Sequence, residues 1–128
     1  MMFEDFTFEK EQVMGYFQSA LRDIEIAETS DVPEVVFKFS YDAFLKFAIS
    51  FCALKGLRVK SRSGHHVALI EKLSSFLNEK DIDVIGNEMR MKRNIDLYSG
   101  GTLISEKEAK EYCEWVKEII MKNKNGFL

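Results

Sequence analysis

The sequence is poor in the residues that interrupt helices and in those that form cross-links. Its 128 residues include one proline and seven glycines. Because these two residues mark most turns, their scarcity favours a few long helices over many short strands. Two cysteines are present, Cys52 and Cys113, and both fall inside apolar helical patterns. We therefore expect two buried thiols of a cytoplasmic protein rather than a disulfide framework.

The sequence also has no long uncharged apolar run. A spanning helix needs about 18 such residues, so we expect no membrane contact. The first residues, MMFEDFTFEKEQ, are acidic and contain no basic region of the kind that opens a secretory signal. With 46% hydrophobic and 30% charged residues, the composition is typical of one globular domain spanning residues 1–128.

The motifs of several common chemistries are missing as well. There is no glycine-rich phosphate loop, no HExxH and no paired CxxC. The adjacent His65 and His66 should point to different faces of a helix start, which does not suit a metal. We therefore predict neither a metal site nor a bound cofactor.

The apolar residues repeat at spacings of three and four, which predicts helices. Asp31 is a candidate cap of the second helix, Pro33 lies in its first turn, and Ser105 is a candidate cap of the fifth. The second helix is apolar nearly all round and should be central. The predicted helices run from about Phe8 to Thr29, Pro33 to Lys55, Ser63 to Glu79, the turn at Lys80–Asp81 to Leu97, and Ser105 to Lys122.

These five segments are joined by short connections, which favours antiparallel neighbours. We therefore predict an all-α, antiparallel up-and-down bundle of four to five helices, with a core over about residues 8–122. Gly100–Gly101 should end the fourth helix, and the tail NKNGFL should be frayed.

Charge is unevenly distributed, although the net charge is only −3. Residues 1–42 hold three basic and ten acidic residues, net −7, whereas residues 43–93 hold ten basic and five acidic residues, net +5. Residues 94–128 hold five basic and six acidic residues. Such asymmetry is informative about partners rather than about the fold.

The first basic segment, KGLRVKSRSGHHVALIEKL, covers residues 55–73. Its cations and the free amides at the start of the third helix could bind phosphates. The alternative is a solvated basic loop in which a histidine fills the first helical turn. Its candidate binding residues are Arg58, Lys60, Arg62, His65 and His66.

The second basic segment, MRMKRNIDLYSGG, covers residues 89–101. Arginine presents a planar fork that matches phosphate and stays charged at all working pH values. The alternative is local, with Arg93 paired to Asp96 and Tyr98 covering the end of the bundle. The candidates here are Arg90, Lys92, Arg93, Asn94, Asp96 and Tyr98.

Taken in order, four segments resemble the HEPN superfamily (higher eukaryotes and prokaryotes nucleotide-binding domain), whose members are all-helical proteins of about this size. YDAFLKFAISFCALKGL is similar to the family's second helix, and RVKSRSGHHVALIEKL to the basic loop and histidine-containing helix start that follow. KRNIDLYSGG resembles the arginine-plus-polar signature, and ISEKEAKEYCEWVKEII the closing helix. The resemblance covers about residues 10–122.

Many HEPN proteins are metal-independent ribonucleases with a signature of arginine, a polar residue and then histidine. Arg93 and Asn94 match the first two positions, but the histidine window, residues 98–100, holds Tyr98, Ser99 and Gly100. With an ordinary pKa of about 10, a tyrosine is a poor general base at neutral pH, although it can donate a hydrogen bond or stack on a base. The run RNIDLY is closer to a branch with an arginine–asparagine–…–aspartate–tyrosine signature.

The resemblance therefore implies Arg93, Asn94 and Tyr98 as catalytic candidates and leaves open whether the chain is an endoribonuclease. If it cleaves RNA, His65 or His66 would have to supply the missing imidazole. The resemblance also implies a homodimer, RNA or a nucleotide as ligand, and a toxin–antitoxin pairing with a minimal nucleotidyltransferase.

The alternative is a non-catalytic interaction module that holds a nucleotidyltransferase or another partner. Its support is the acidic amino-terminal region, which could meet a basic surface. The candidate contacts are Glu4, Asp5, Glu9, Glu11, Asp23, Glu25 and Glu28.

Overall fold

The computed structural model describes residues 2–98 and 104–127, without the side chains of residues 95–98. This part of the chain forms an all-α bundle of five helices with one small ribbon, so the predicted fold class is confirmed. The elements are β1 (Phe3–Asp5), α1 (Lys10–Thr29), α2 (Pro33–Leu54), β2 (Leu57–Val59), α3 (His65–Leu77), α4 (Lys80–Tyr98), α5 (Glu106–Lys122) and a 3₁₀ turn (Lys124–Phe127). No helix within the described residues is long and apolar enough to cross a bilayer.

Helix α2 is the centre of the bundle, as its sequence predicts. Tyr41, Phe44 and Phe47 on this helix are fully buried, and α2 contacts all four other helices. A helix without a wide polar face has to be covered on most sides. Its start differs from the prediction, because Val32 and not Asp31 occupies the cap position, where its N–H donates to the Ser30 hydroxyl at 3.1 Å.

The two ends of α3 are set by left-handed backbone conformations. Gly64 precedes the helix with φ 85°, and Asn78 follows it with φ 51°. The helix is therefore shorter than predicted, and the turn before α4 lies at residues 78–79 rather than at Lys80–Asp81. The predicted end of α4 at Gly100–Gly101 lies outside the described residues.

Helix α5 begins as its sequence predicts. The Ser105 hydroxyl accepts a hydrogen bond from the Glu108 N–H at 3.0 Å. The Glu108 carboxylate lies 3.5 Å from the ammonium group of Lys92, which links α5 to α4. Both cysteines are buried and unpaired, in agreement with the prediction of two buried thiols.

The β1–β2 ribbon was not predicted. The two strands are antiparallel, with Phe3 opposite Val59 and Asp5 opposite Leu57. Three residues are too few to establish an alternating pattern, and the partners are about 54 residues apart in sequence. The ribbon ties the amino-terminal segment to the start of the basic loop, since the Lys60 N–H donates to the Met2 carbonyl at 2.7 Å.

The tail also differs from its prediction, because it is ordered rather than frayed. Phe127 is 5% exposed, and its ring stacks on Phe17 with 4.4 Å between centroids. The apolar ring of Phe127 fills space against α1 and α2, so burial of this one side chain holds the 3₁₀ turn in place. The core therefore reaches beyond residue 122.

Candidate functional site

The two basic segments meet in one cleft of about 480 Å³ between the start of α3 and the second half of α4. Of the predicted site residues, it brings together both histidines and three of the arginines. The lining residues are Ser61, Arg62, Ser63, Gly64, His65, His66, Val67, Arg90, Arg93 and Asn94.

The first turn of α3 forms one wall of this cleft. The loop closes tightly before it, because Gly64 adopts φ 85° and the His65 N–H donates to the Arg62 carbonyl at 3.0 Å. The first amides of a helix have no intrahelical acceptors, and they carry the positive end of its dipole. This wall therefore adds positive potential to that of the arginines.

Tyr41 lies beneath the cleft and joins three helices. Its side chain is fully buried in α2, and its hydroxyl lies 3.2 Å from Nδ1 of His66 on α3. The guanidinium carbon of Arg93, on α4, lies 5.9 Å from the centre of the Tyr41 ring. One residue of the central helix thus contacts both an imidazole and an arginine of the site.

These surroundings perturb two titratable groups. Burial lowers the pKa of His66 below its ordinary value, and the neighbouring His65, Arg93 and Arg90 lower it further, whereas Asp42 acts in the opposite direction. Burial raises the pKa of Tyr41 to about 12, although Arg93 opposes this. His66 is therefore neutral at pH 7, and Tyr41 keeps its proton.

The other histidine is held by the loop. Nδ1 of His65 lies 2.8 Å from the Arg62 carbonyl oxygen, and its ring packs edge to face against His66 with 4.4 Å between centroids. The two rings therefore contact each other and line the same cleft, whereas the sequence predicts that they point to different faces of the helix start. Within the described residues, no three His, Cys, Asp or Glu side chains gather as metal ligands would.

Arg90 is oriented by a short chain of hydrogen bonds along α4. Its Nε donates to Asn87 Oδ1 at 3.0 Å, and the Asn87 amide donates to the Asp83 carbonyl at 2.8 Å. A guanidinium fixed by one of its N–H groups loses less conformational entropy when it binds a ligand.

Three predicted binding residues are not brought to the cleft. The Arg58 Nε donates to Glu4 Oε1 at 2.8 Å, and its guanidinium lies 4.2 Å over the ring of Phe6. Lys60 is held at the ribbon by its backbone, and Lys92 faces α5. These positions have one cause, because the sequence shows that the charges cluster on a segment but does not show which tertiary partner each will contact.

Two further predicted residues, Asp96 and Tyr98, belong to the last turns of α4. Their side chains lie outside the described part of the structure, as do residues 99–103. The predicted contact of Asp96 with Arg93 and the predicted roles of Tyr98 therefore stay predictions.

The predicted acidic surface is smaller than its sequence indicates. Asp23 is buried and pairs with Lys46 on α2 at 2.7 Å, so it is not available to a partner. Glu4 pairs with Arg58, and Glu28 lies 2.6 Å from Lys117 on α5. Of the seven predicted contacts, Asp5, Glu9, Glu11, Glu25 and Glu28 are exposed, and Glu28 is the one of these that pairs with Lys117.

No known protein family, curated protein or solved structure matches the chain. The resemblance to HEPN proteins accordingly stays a prediction.

Tyr41 is a site residue that the sequence does not single out, because it lies on the apolar stripe of the second helix. One signal in the sequence nevertheless marks it, because Tyr41 is the only tyrosine of α2 and every other aromatic residue of this helix is phenylalanine. A buried tyrosine hydroxyl needs a hydrogen-bond partner, so a tyrosine on a core stripe marks a polar contact inside the fold.

Proposed function

We propose that the chain is a HEPN-like protein that binds the phosphates of RNA or nucleotides in this cleft. The observation that carries the proposal is the convergence of Arg90 and Arg93, from α4, on the first turn of α3. Guanidinium groups bind phosphate oxygens in a fixed planar geometry, and helix amides add further donors. Asn94, on the same wall, would donate or accept the remaining hydrogen bonds.

A binding titration with RNA at two salt concentrations tests this proposal. Arg93→Ala should weaken binding strongly, and wild-type affinity should fall steeply as salt rises, because phosphate contacts release counterions. Lys92→Ala is the matched control, since it removes a neighbouring cation that faces α5. Equal affinities of Arg93→Ala and the wild type would refute the assignment.

The proposal has a catalytic version. In it, Arg93 stabilises charge on the phosphate, and His65 or His66 supplies the imidazole that the family signature would place at Tyr98. Incubating RNA with purified protein in a chelator decides this version. Cleavage would identify a metal-independent endoribonuclease, and intact RNA would limit the function to binding.

By the same resemblance we propose a cytoplasmic homodimer that acts as the toxin-like partner of a minimal nucleotidyltransferase. Sedimentation of the purified chain tests the dimer. Co-expression with such a nucleotidyltransferase, followed by co-purification, tests the pairing.

The second candidate is a non-catalytic interaction module, and one observation favours it. Helix α4 exposes two apolar side chains seven residues apart, Val84 at 64% and Met91 at 57%. Residues at this spacing share one helical face, and exposed apolar patches often mark protein contacts. Co-purification of a nucleotidyltransferase that is lost in Met91→Glu and kept in Arg93→Ala would support this candidate.

A further inference from the structure

The two imidazoles of the cleft are held by groups of different hydrogen-bonding character. Nδ1 of His65 faces the Arg62 carbonyl oxygen at 2.8 Å. A carbonyl oxygen can only accept, so Nδ1 of His65 carries the proton. In the neutral ring, Nε2 of His65 is then an acceptor.

For His66 the direction of the hydrogen bond depends on Tyr41. Among the side chains that the structure describes, His66 Nδ1 is the acceptor within reach of the fully buried Tyr41 hydroxyl. A buried hydroxyl proton without an acceptor is costly, so the Tyr41 O–H donates to Nδ1. His66 is neutral at pH 7 because its pKa is lowered, and its single proton therefore sits on Nε2.

We propose that His65 and His66 present opposite tautomers to the cleft, and that the pair recognises a hydroxyl next to a phosphate, as in a ribonucleotide. Nε2 of His65 accepts a hydrogen bond from the hydroxyl, and the Nε2–H of His66 donates to a phosphate oxygen. The rings are 4.4 Å apart, a separation that lets one ligand contact both. This inference rests on the proposed function, since it assumes that the cleft binds phosphate.

The roles of the cleft residues then divide clearly. Contacts from Arg90 and Arg93 to phosphate are the same for RNA and DNA and carry no preference between them. The ribose 2′-hydroxyl is the group that tells RNA from DNA at a given site. Discrimination should therefore depend on His65, and overall affinity on the arginines and His66. Tyr41 is a positioning residue, because it acts on the ligand through His66.

Long-range ¹H–¹⁵N spectra of the histidine rings in the free protein test the tautomers. We expect the proton on Nδ1 in His65 and on Nε2 in His66. Tyr41→Phe should remove the preference of His66 for the tautomer with its proton on Nε2. Tyr112→Phe should leave this preference unchanged, because the Tyr112 hydroxyl donates to Glu88 away from the cleft. The same tautomer on both rings would overturn the inference.

Binding of a short single-stranded RNA and of its 2′-deoxy counterpart with the same bases tests the recognition. Asparagine keeps a polar atom near the position of Nδ1 and has none at Nε2. His65→Asn therefore deletes the contact with the hydroxyl, and His66→Asn deletes the contact with the phosphate oxygen. We expect the wild type to prefer RNA about fivefold, as one hydrogen bond contributes. His65→Asn should lose this preference, and His66→Asn should bind both strands more weakly by a similar factor.

The outcomes separate the two proposals. Equal binding of RNA and DNA by the wild type, with the dependence on Arg93 intact, would overturn the inference and leave the proposed function standing. Failure to bind either strand would overturn both.

Discussion

At the scale of single residues, the cleft depends on side chains that the rest of the fold holds in place. His66 is fixed from below by Tyr41, His65 by the loop carbonyl of Arg62, and Arg90 by Asn87. Tyr41 comes from α2, the carbonyl from the loop before α3, and Asn87 from the same helix as Arg90. A ligand would therefore meet groups that are already oriented, which reduces the entropic cost of binding.

Gly86 is a residue at which any side chain would disturb the core. A Cβ there would lie 2.9 Å from side-chain atoms of both Ile70 and Phe44. We expect Gly86→Ala to lower the free energy of unfolding by about 1–3 kcal/mol, because overpacking outweighs the gain in helix propensity. Urea denaturation measures the change.

Gly15→Ala is the matched control for that substitution. Gly15 also lies inside a helix, but a Cβ there would meet nothing within 4 Å. Gly15→Ala should therefore raise the free energy of unfolding by about 0.5–1 kcal/mol. If both substitutions changed the free energy of unfolding in the same direction, the packing explanation would be contradicted.

The ion pair of Lys46 with Asp23 should respond differently to loss of its two partners. The Asp23 side chain is 8% exposed, whereas that of Lys46 is 39% exposed. Lys46→Met leaves a buried carboxylate without its countercharge and should cost about 3 kcal/mol. Asp23→Asn leaves an ammonium group that can turn to water and should cost about 1 kcal/mol. Thermal or urea unfolding of both variants checks the order, and equal losses would refute the explanation.

At the scale of elements, the 3₁₀ turn at the end of the described chain depends on Phe127. The ring packs on Phe17, Phe47 and Phe51. Phe127→Ala should reduce the free energy of unfolding by about 3 kcal/mol, as removal of a buried aromatic ring from a core usually does. Lys124→Ala, at an exposed position of the same turn, should change it by less than about 0.5 kcal/mol. Both values come from chemical denaturation, and similar losses in the two variants would mean that the turn is not held by its ring.

The helices were largely predictable because periodicity is a local signal. Val13, Phe17 and Ile24 mark the buried stripe of α1 at spacings of four and seven, and all are buried. The ribbon and the tail were not predictable in this way. Each is decided by partners distant in sequence, Phe3 with Val59 and Phe127 with Phe17.

The site was partly predictable for the same physical reason. Its arginines and histidines could be named from the two basic segments, since residue type and clustering are visible in the sequence. Their sorting could not be foreseen, because it depends on which helices pair. Arg62 and Arg93 line the cleft. Arg58 instead pairs with Glu4 on β1, and Lys92 pairs with Glu108 on α5.

At the scale of the whole molecule, mild acid should destabilise the fold before most carboxylates titrate. The native pKa of His66 lies below its ordinary value of about 6.5, so the unfolded chain takes up a proton more readily. The titration of His66 therefore leaves the free energy of unfolding unchanged above about pH 6.5. It lowers this free energy progressively as the pH falls from there through the native pKa. Burial lowers this pKa, the neighbouring His65, Arg93 and Arg90 lower it further, and Asp42 opposes them.

Unfolding by urea at a series of pH values from about 7 to about 5 measures this effect. The wild type should lose stability over this range, and His66→Asn should lose less. The pKa of Glu4 is lowered from a value that is already more acidic, so its titration does not enter this window. An identical pH dependence in the variant would rule out His66 as the source.

Pairing of β1 with β2 closes a loop that contains all of α1 and α2. Closing so long a segment costs chain entropy, whereas the turns of a helix form between near neighbours. During folding, α1 and α2 should therefore assemble first and the ribbon afterwards. Because β2 runs directly into the basic loop, the histidine-bearing wall of the cleft should reach its final position late. The folding nucleus and the histidine-bearing wall of the cleft would thus occupy different parts of the bundle.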